Sequence, residues 1–326
     1  MAHLNLVQAV SDALMTEMAQ DERVLVLGED VGLGGGVFRA TEGLYQKFGP
    51  QRAIDTPLAE SAIVGTAVGM AAYGLRPVCE LQFDGFMLPA FDQILSHAGR
   101  LRWRSRGRYQ VPLVIRAPYG GGIRALEHHS ESPEGFYAHI PGLKVVIPAT
   151  PADAKGLLIS AIRDPDPVVF LEPKRIYRAL RQEVPEGDYT IPLGQARVAR
   201  AGQDATLIAW GAQVHTALQA AELLAEQEDS SVEVLDLRTL SPLDLETIAQ
   251  SVAKTGRVVI TQEAPRSFGF SSELAALISE RLFLHLEGPV VRVTGFDTAI
   301  PYFSMEQHYL PDAGRVVRGV LQALKS

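Results

Sequence analysis

The stretch "ESAIVGTAVGMAAYGLRPVCELQF", residues 60–83, decides the fold. Its first part, 61–74, is helix-length, small and apolar, and it runs straight into the β-rich burst "RPVCELQF". The same kind of burst recurs on either side, as "RVLVLGED" (23–30), "VPLVIRAP" (111–118), "GLKVVIPA" (142–149) and "DPVVFLEP" (166–173), with a second helix-length segment at 152–163. Strands alternating with helices predict a largely parallel sheet covered on both faces, a three-layer α/β domain.

The polar, Pro- and Gly-bearing segment "RQEVPEGDYTIPLGQ", 181–195, reads as a connection. After it the rhythm restarts with "ATLIAWG", a helix at about 213–227, "VEVLDLRTL", "RVVITQEA" and "PVVRVTGF". Two α/β domains are therefore expected, over 1–185 and 186–326.

Composition narrows the function classes. The 326 residues are 47% hydrophobic and 21% charged, enough apolar material for sizeable cores. A formal net charge of −8 argues against nucleic acid as a partner, because phosphate contacts need a basic surface. The single cysteine, Cys79, excludes an internal disulfide and fits a reducing compartment. The start of the chain has no basic-then-apolar pattern, and the longest uncharged apolar run, Ser61–Leu75, falls short of the roughly 18 residues a membrane helix needs. The expectation is a cytoplasmic protein with no membrane partner.

Glu60 is the only charge between Asp55 and Arg76. Thr56 as N-cap, Pro57 at the first helical position and an early Glu on the helix dipole would explain why an acid is tolerated there. Gly65 and Gly69, four residues apart in "GTAVG", predict close packing of this helix against another backbone. An acid at the mouth of such a helix is a candidate interface or ligand group.

Three other stretches carry potential chemistry. In "GEDVGLGGGVF", 28–38, Gly32 and Gly34 fit a dinucleotide fingerprint but Val37 holds its third position, and Glu29 and Asp30 would repel a pyrophosphate. The stretch reads instead as a flexible loop that orders against a partner or ligand. "ALEHHSESPEGFYAH", 125–139, gathers three histidines and three acids, yet adjacent histidines diverge, and there is no HExxH or cysteine pair for zinc. A lone acid–base histidine and a plain surface loop both remain open there. "RLRWRSRGR", 100–108, could stack and bind RNA, but in an acidic chain its arginines are better matched to carboxylates or a subunit interface. No GxSxG elbow and no P-loop is present.

In their order, "VLGEDVGLGGGVFRATEGL", "DTPLAESAIVGTAVGMA", "ELQFDGFMLPAFDQI", "HHSESPEGFYAHIPGLKVVIPATPADAKGLL", "PVVFLEPKRIYR", "DLRTLSPLD" and "VTGFDTAIPY" resemble one family across nearly the whole chain. It is the β subunit of the thiamine-diphosphate-dependent decarboxylase component of 2-oxo acid dehydrogenase complexes. The wording of "GGVFR" and "EPKRIYR" is more similar to the branched-chain (2-oxoisovalerate) type than to the pyruvate type, with pyruvate and acetoin dehydrogenases as the alternatives. The resemblance implies a transketolase-like pyrimidine-binding domain followed by a transketolase C-terminal-like domain. It implies oxidative decarboxylation of a 2-oxo acid, as in branched-chain amino acid catabolism.

Carried over by motif, Glu60 would hydrogen-bond the N1′ atom of the cofactor's aminopyrimidine, a charge-assisted bond in a dry cleft. Glu29, Leu58, Ala59, Gln82, Phe86, Met87, Leu88 and Pro89 fall at cofactor-contact positions. Phe83, Asp84, Gly85, Phe86 and His129 fall at substrate positions, with His129 the acid–base group that serves acyl transfer to a lipoyl arm. A potassium site would involve Leu113, Val114, Ala161, Asp164 and Asp166. Two departures touch the substrate pocket: "FDGFMLPAFDQ" where many members read "FADYIFPAFDQ", and "HSESPE", which places Glu131 where glutamine is common. The chain has no GDG motif for the diphosphate and Mg²⁺, so the resemblance assigns these to an α subunit in an α2β2 heterotetramer. A dihydrolipoyl acyltransferase core would be the further partner.

Overall fold

The computed structural model describes residues 2–326. The chain divides into two compact units: residues up to Tyr119 together with Phe136–Leu193, and Gly120–Gly135 together with Gly194–Ser326.

The first unit contains β1 (Ala2–Leu4), β2 (Val24–Gly28), β3 (Ala53–Asp55), β4 (Arg76–Glu80), β5 (Val114–Tyr119), β6 (Lys144–Val146), β7 (Val168–Pro173) and β8 (Gln182–Val184). β1 and β8 form a small antiparallel pair. The others lie parallel in the order β6-β7-β5-β4-β2-β3. Every residue of β2, β5 and β7 is buried, as expected for central strands covered on both faces. The helices Leu6–Gln20 and Pro151–Arg163 pack on each other, and Glu60–Ala72 packs on β4. Local chemistry sets their starts: Asn5 and Gln8 form a capping box, and Thr150 caps a helix that has Pro151 in its first turn.

Charge also enters this core. Arg116 on β5 donates to Glu80 on β4 and to both oxygens of Glu172 on β7, at 2.7 and 2.9 Å for the latter pair. Tyr177 adds its hydroxyl to Glu172. An arginine fork shared between two carboxylates is how so many charges become tolerable in a dry interior.

The second unit contains β9 (Arg197–Arg200), β10 (Ala205–Ala209), β11 (Val232–Asp236), β12 (Thr239–Ser241), β13 (Val258–Pro265) and β14 (Val291–Gly295). A five-stranded sheet runs β14-β13-β10-β11-β9, parallel except for β9. Its main helices are Gln213–Glu228, Leu245–Thr255, Phe270–Leu282 and Ala313–Lys325.

One expectation about residues 56–69 is corrected. The helix begins at Glu60 with Ala59 as an N-cap that makes no side-chain bond, so Thr56 and Pro57 lie outside it. The Thr56 N–H instead donates to Gly28 O at 3.0 Å, which extends the strand register and delays the helix. A Cβ on Gly65 would meet the Gln93 side chain at 3.1 Å, whereas one on Gly69 would meet nothing within 4 Å. Within the chain, close approach is met at Gly65, by a side chain, and the face at Gly69 is open.

Candidate active site

Gly28, Asp55 and Glu80 are paired across β3, β2 and β4, so these three strands end in register. The carboxyl ends of parallel strands are where α/β sheets place ligands. Glu29 follows β2, Thr56–Glu60 follow β3, and Leu81–Pro89 follow β4. Most of the residues expected to contact the cofactor thus converge on one edge of the first unit.

The glycine loop is pinned from within. The Asp55 carboxylate accepts the N–H of Gly32 at 2.6 Å and of Leu33 at 3.1 Å, and a Cβ on Gly32 would lie 2.7 Å from it. Main-chain donors that could have cradled a phosphate are occupied by an acid of the same chain. Asp55 thus holds the start of the loop that the sequence expects to order against a partner or ligand.

Glu60 opens its helix, and its half-buried carboxylate shares the strand ends with Glu29. Desolvation first, then Asp30 and Glu60, hold the Glu29 carboxyl above its ordinary range. Ser61 donates its hydroxyl to Pro89 O, which ties the helix start to the segment after β4. Leu58, 70% exposed, and Leu88, 51% exposed, leave an apolar surface beside the acids. Ala59, Gln82 and Phe86 are half-buried, and Pro89 is exposed.

The Phe83–Pro89 segment is built on a turn of 3₁₀ helix, Asp84–Met87. Two of the expected contact residues lie inside this segment. Asp84 and Met87 are buried, and Asp84 faces Lys174 at 2.8 Å, with neither side chain exposed. They act as the scaffold of the segment. Gly85 and the ring of Phe86 stay partly accessible. Phe38 packs edge-on against Phe83 and Tyr177, at 5.4 and 5.2 Å between centroids, and Phe83 against Phe86 at 6.0 Å. Lys174 also lies 5.6 Å from the Phe83 ring. Phe38, Lys174 and Tyr177 were not among the expected site residues, although they sit inside "GGVFR" and "EPKRIYR".

Acceptors at Glu29 and Glu60 beside exposed apolar side chains suit a flat ring that donates hydrogen bonds, as an aminopyrimidine does. The acids Glu29, Asp30, Asp55 and Glu60 make the same edge hostile to a diphosphate. The donor set fits one half of thiamine diphosphate.

At the positions expected for potassium, charge is already answered. Lys144 contacts both Asp164 oxygens at 2.7 and 2.6 Å, and Arg102 pairs with Asp166. Leu113 O accepts the Val168 N–H at 2.9 Å, and Ala161 O accepts that of Asp164 at 3.3 Å. Val114 lies within β5. A cation there would rest on spare carbonyl lone pairs, not on the carboxylates.

His129 belongs to the second unit, at the end of the turn Glu127–His129, with its ring 4.2 Å from that of His128. The loop before it is held by distant acids. Glu306 accepts from Gly122 N at 2.8 Å and Arg124 N at 3.0 Å, and Glu263 from Gly121 N at 3.1 Å. Gly120 N donates to Glu131 O at 2.8 Å. Desolvation, then Glu127, push the Glu131 carboxyl up. Glu263 and Glu306 carry no local signal that ties them to the histidine loop.

Sheets, helices and strand-end acids together define a two-domain transketolase-like protein. The family profile for the transketolase pyrimidine binding domain matches residues 2–179, and that for the transketolase C-terminal domain matches 194–316. The chain is 52% identical over 326 residues to "Pyruvate dehydrogenase E1 component subunit beta" of Acholeplasma laidlawii, covering 100% of this chain and 99% of that protein. It is equally 52% identical over 325 residues to the protein of that name from Bacillus subtilis, with 100% of each covered. It is 50% identical over 310 residues to "2-oxoisovalerate dehydrogenase subunit beta, mitochondrial" of Dictyostelium discoideum, covering 95% of this chain and 83% of that one. Among solved structures, "Split gene transketolase, inactive beta4 tetramer" superposes with a TM-score of 0.82 at 25% identity, covering 99% of each chain. This chain belongs to the family of E1 β subunits of 2-oxo acid dehydrogenases.

Proposed function

We propose that this chain, with an α partner, decarboxylates a 2-oxo acid using thiamine diphosphate and passes the acyl group to a lipoyl arm. The observation that carries the reading is the pairing of Glu60 and Glu29 beside exposed Leu58 and Leu88 at the ends of β2, β3 and β4. When bound, the cofactor supplies a carbon nucleophile that also accepts the electron pair released by decarboxylation. Glu60 is assigned to accept a hydrogen bond from the ring and bias its tautomer. Leu58, Ala59, Gln82, Phe86, Leu88 and Pro89 line the ring's surroundings and exclude water. His129 is assigned the proton that accompanies acyl transfer. Mg²⁺ and the diphosphate are assigned to the α subunit, because this chain has no GDG motif.

The substrate class rests on two segments that meet in the fold. Phe38 of "GGVFR" touches Phe83 and Tyr177, and Arg178 of "EPKRIYR" donates to Phe38 O at 2.9 Å. Both meet the Phe83–Phe86 segment, which supports reading the branched-chain-like wording as bearing on the expected substrate residues. Pyruvate is the second reading, supported by the names of the relatives at 52% identity.

Reconstitution with the α chain tests both levels. Glu60→Gln is expected to lower decarboxylation by about a hundredfold or more, in line with removal of one preorganised charge-assisted bond. Unchanged activity would remove Glu60 from the chemistry. Comparing kcat/KM for 2-oxoisovalerate and pyruvate then decides the substrate: a preference for pyruvate overturns the branched-chain reading alone.

A further inference from the structure

In the second unit the helix Ala313–Lys325 packs beside the edge strand β14, and a cleft of about 380 Å³ opens between them. Arg266, Arg292, Arg315 and Arg318 line it, together with Thr294 and Phe296. Neither Glu60 nor His129 contributes. Four guanidiniums around one cleft stand out in a chain whose net charge is −8.

Their hydrogen bonds go to neutral oxygens. Arg292 donates to Ser272 Oγ at 2.6 Å and to Arg266 O at 3.0 Å. Arg315 donates to Tyr309 O at 2.8 Å and to Thr294 O. These bonds fix the guanidiniums without cancelling their charge. Two acids temper the charge without matching it: Asp297, which also lines the cleft and acts on Arg266 and Arg292, accepts the N–H and the hydroxyl of Ser267, each at 2.8 Å, and Asp312, which acts on Arg315, accepts Arg315 N at 2.7 Å as a helix cap. Burial, and then the neighbouring Arg266, hold Arg292 below its ordinary range. Arg292, half-buried beside the exposed Arg266, is stabilised by any anion that enters between them.

One wall is aromatic. The Phe296 ring is 52% exposed and lies 4.7 Å from the Arg315 guanidinium. An exposed ring backed by a cation, next to further arginines, offers a flat apolar platform and an anion seat in one place. The volume is at the small end of the roughly 300–1,000 Å³ typical of small-molecule sites. We propose that this cleft binds a small phosphate-bearing metabolite of the nucleotide class, with the phosphates on Arg292, Arg315 and Arg318 and the planar part on Phe296.

Calorimetric titration of the full chain with ADP, pyrophosphate and adenosine tests the assignment. ADP is expected to bind saturably, one per chain, with adenosine at least about tenfold weaker and rising salt weakening ADP but not adenosine. Arg318→Ala, at an exposed helix position, is expected to weaken ADP about tenfold with an unchanged melting curve. Phe296→Ala is expected to remove the preference for ADP over pyrophosphate. Glu60→Gln is expected to bind ADP as the parent chain does, which separates this cleft from the cofactor edge. Absence of saturable ADP binding, equal binding of adenosine, or an Arg318→Ala chain that binds like the parent overturns the site. Equal affinities for ADP and pyrophosphate in the parent overturn the role given to Phe296.

Discussion

Lys174 Nζ lies 2.8 Å from Asp84 Oδ1, and solvent reaches neither side chain. A buried pair of this kind costs more to break than it gains by forming, because removing one partner strands the other charge. Lys174→Met is expected to destabilise the chain by about 3–5 kcal/mol, and Asp84→Asn by a similar amount. The double variant is expected to recover part of the loss, measured as urea midpoints at constant slope. Additive losses would show that the two charges do not depend on each other.

Glu306 accepts two N–H groups of the loop that leads to His129. Glu306→Gln keeps one acceptor and loses the charge, at a cost of about 1–3 kcal/mol for the loop. In the reconstituted enzyme kcat is expected to fall about tenfold, alongside a melting temperature lowered by a few degrees. A shift confined to stability would make Glu306 a purely structural residue.

Asp244 caps the Leu245–Thr255 helix through Thr247 N at 3.0 Å and also accepts Ala196 N at 2.9 Å. Desolvation alone would raise its carboxyl, but these N–H groups and the Thr247 hydroxyl hold it below the ordinary range. A depressed acid stabilises the fold above the unfolded value of about 3.9 and loses that contribution as the pH falls through the folded value. Asp244→Ala is expected to cost about 1–2 kcal/mol at neutral pH. The gap from the parent chain is expected to narrow below about pH 4 in acid titrations followed by circular dichroism.

Cys79 lies in β4 with no solvent exposure, and burial pushes its thiol well above the ordinary range. Only the thiolate reacts with disulfide reagents. The native chain is expected to resist a chromogenic disulfide at neutral pH, and the urea-unfolded chain to release one equivalent. Rapid reaction of the native chain would mean that β4 opens locally.

Strands were the most legible part of the sequence, because central parallel strands covered on both faces are mostly apolar, and β2, β5 and β7 are buried throughout with only Arg116 and Glu172 charged. The start of the Glu60 helix was less so. Thr56 and Pro57 carry a typical opening pattern, but the Thr56 N–H is drawn to Gly28 O, an interaction 28 residues away that no local rule contains. Glu60 stands out from wording alone. Its surroundings could not: Asp84 and Lys174 are 90 residues apart, and Phe38 meets Tyr177 from the far side of the unit's sequence. Local pattern predicts which residues lie at strand ends. Which of them face inward depends on partners that only the folded chain supplies.

The histidine loop has a consequence for how the chain can be divided. Residues 120–135 are flanked on both sides by the first unit's sequence, yet the acids that hold them lie 142 and 184 positions downstream. A fragment ending near 185 would keep His129 and lose Glu263 and Glu306 together. During synthesis the loop must likewise wait for nearly the last turn of chain before its donors are answered. The gene can be cut at the linker, but His129 cannot be shared out with the half in which it is written.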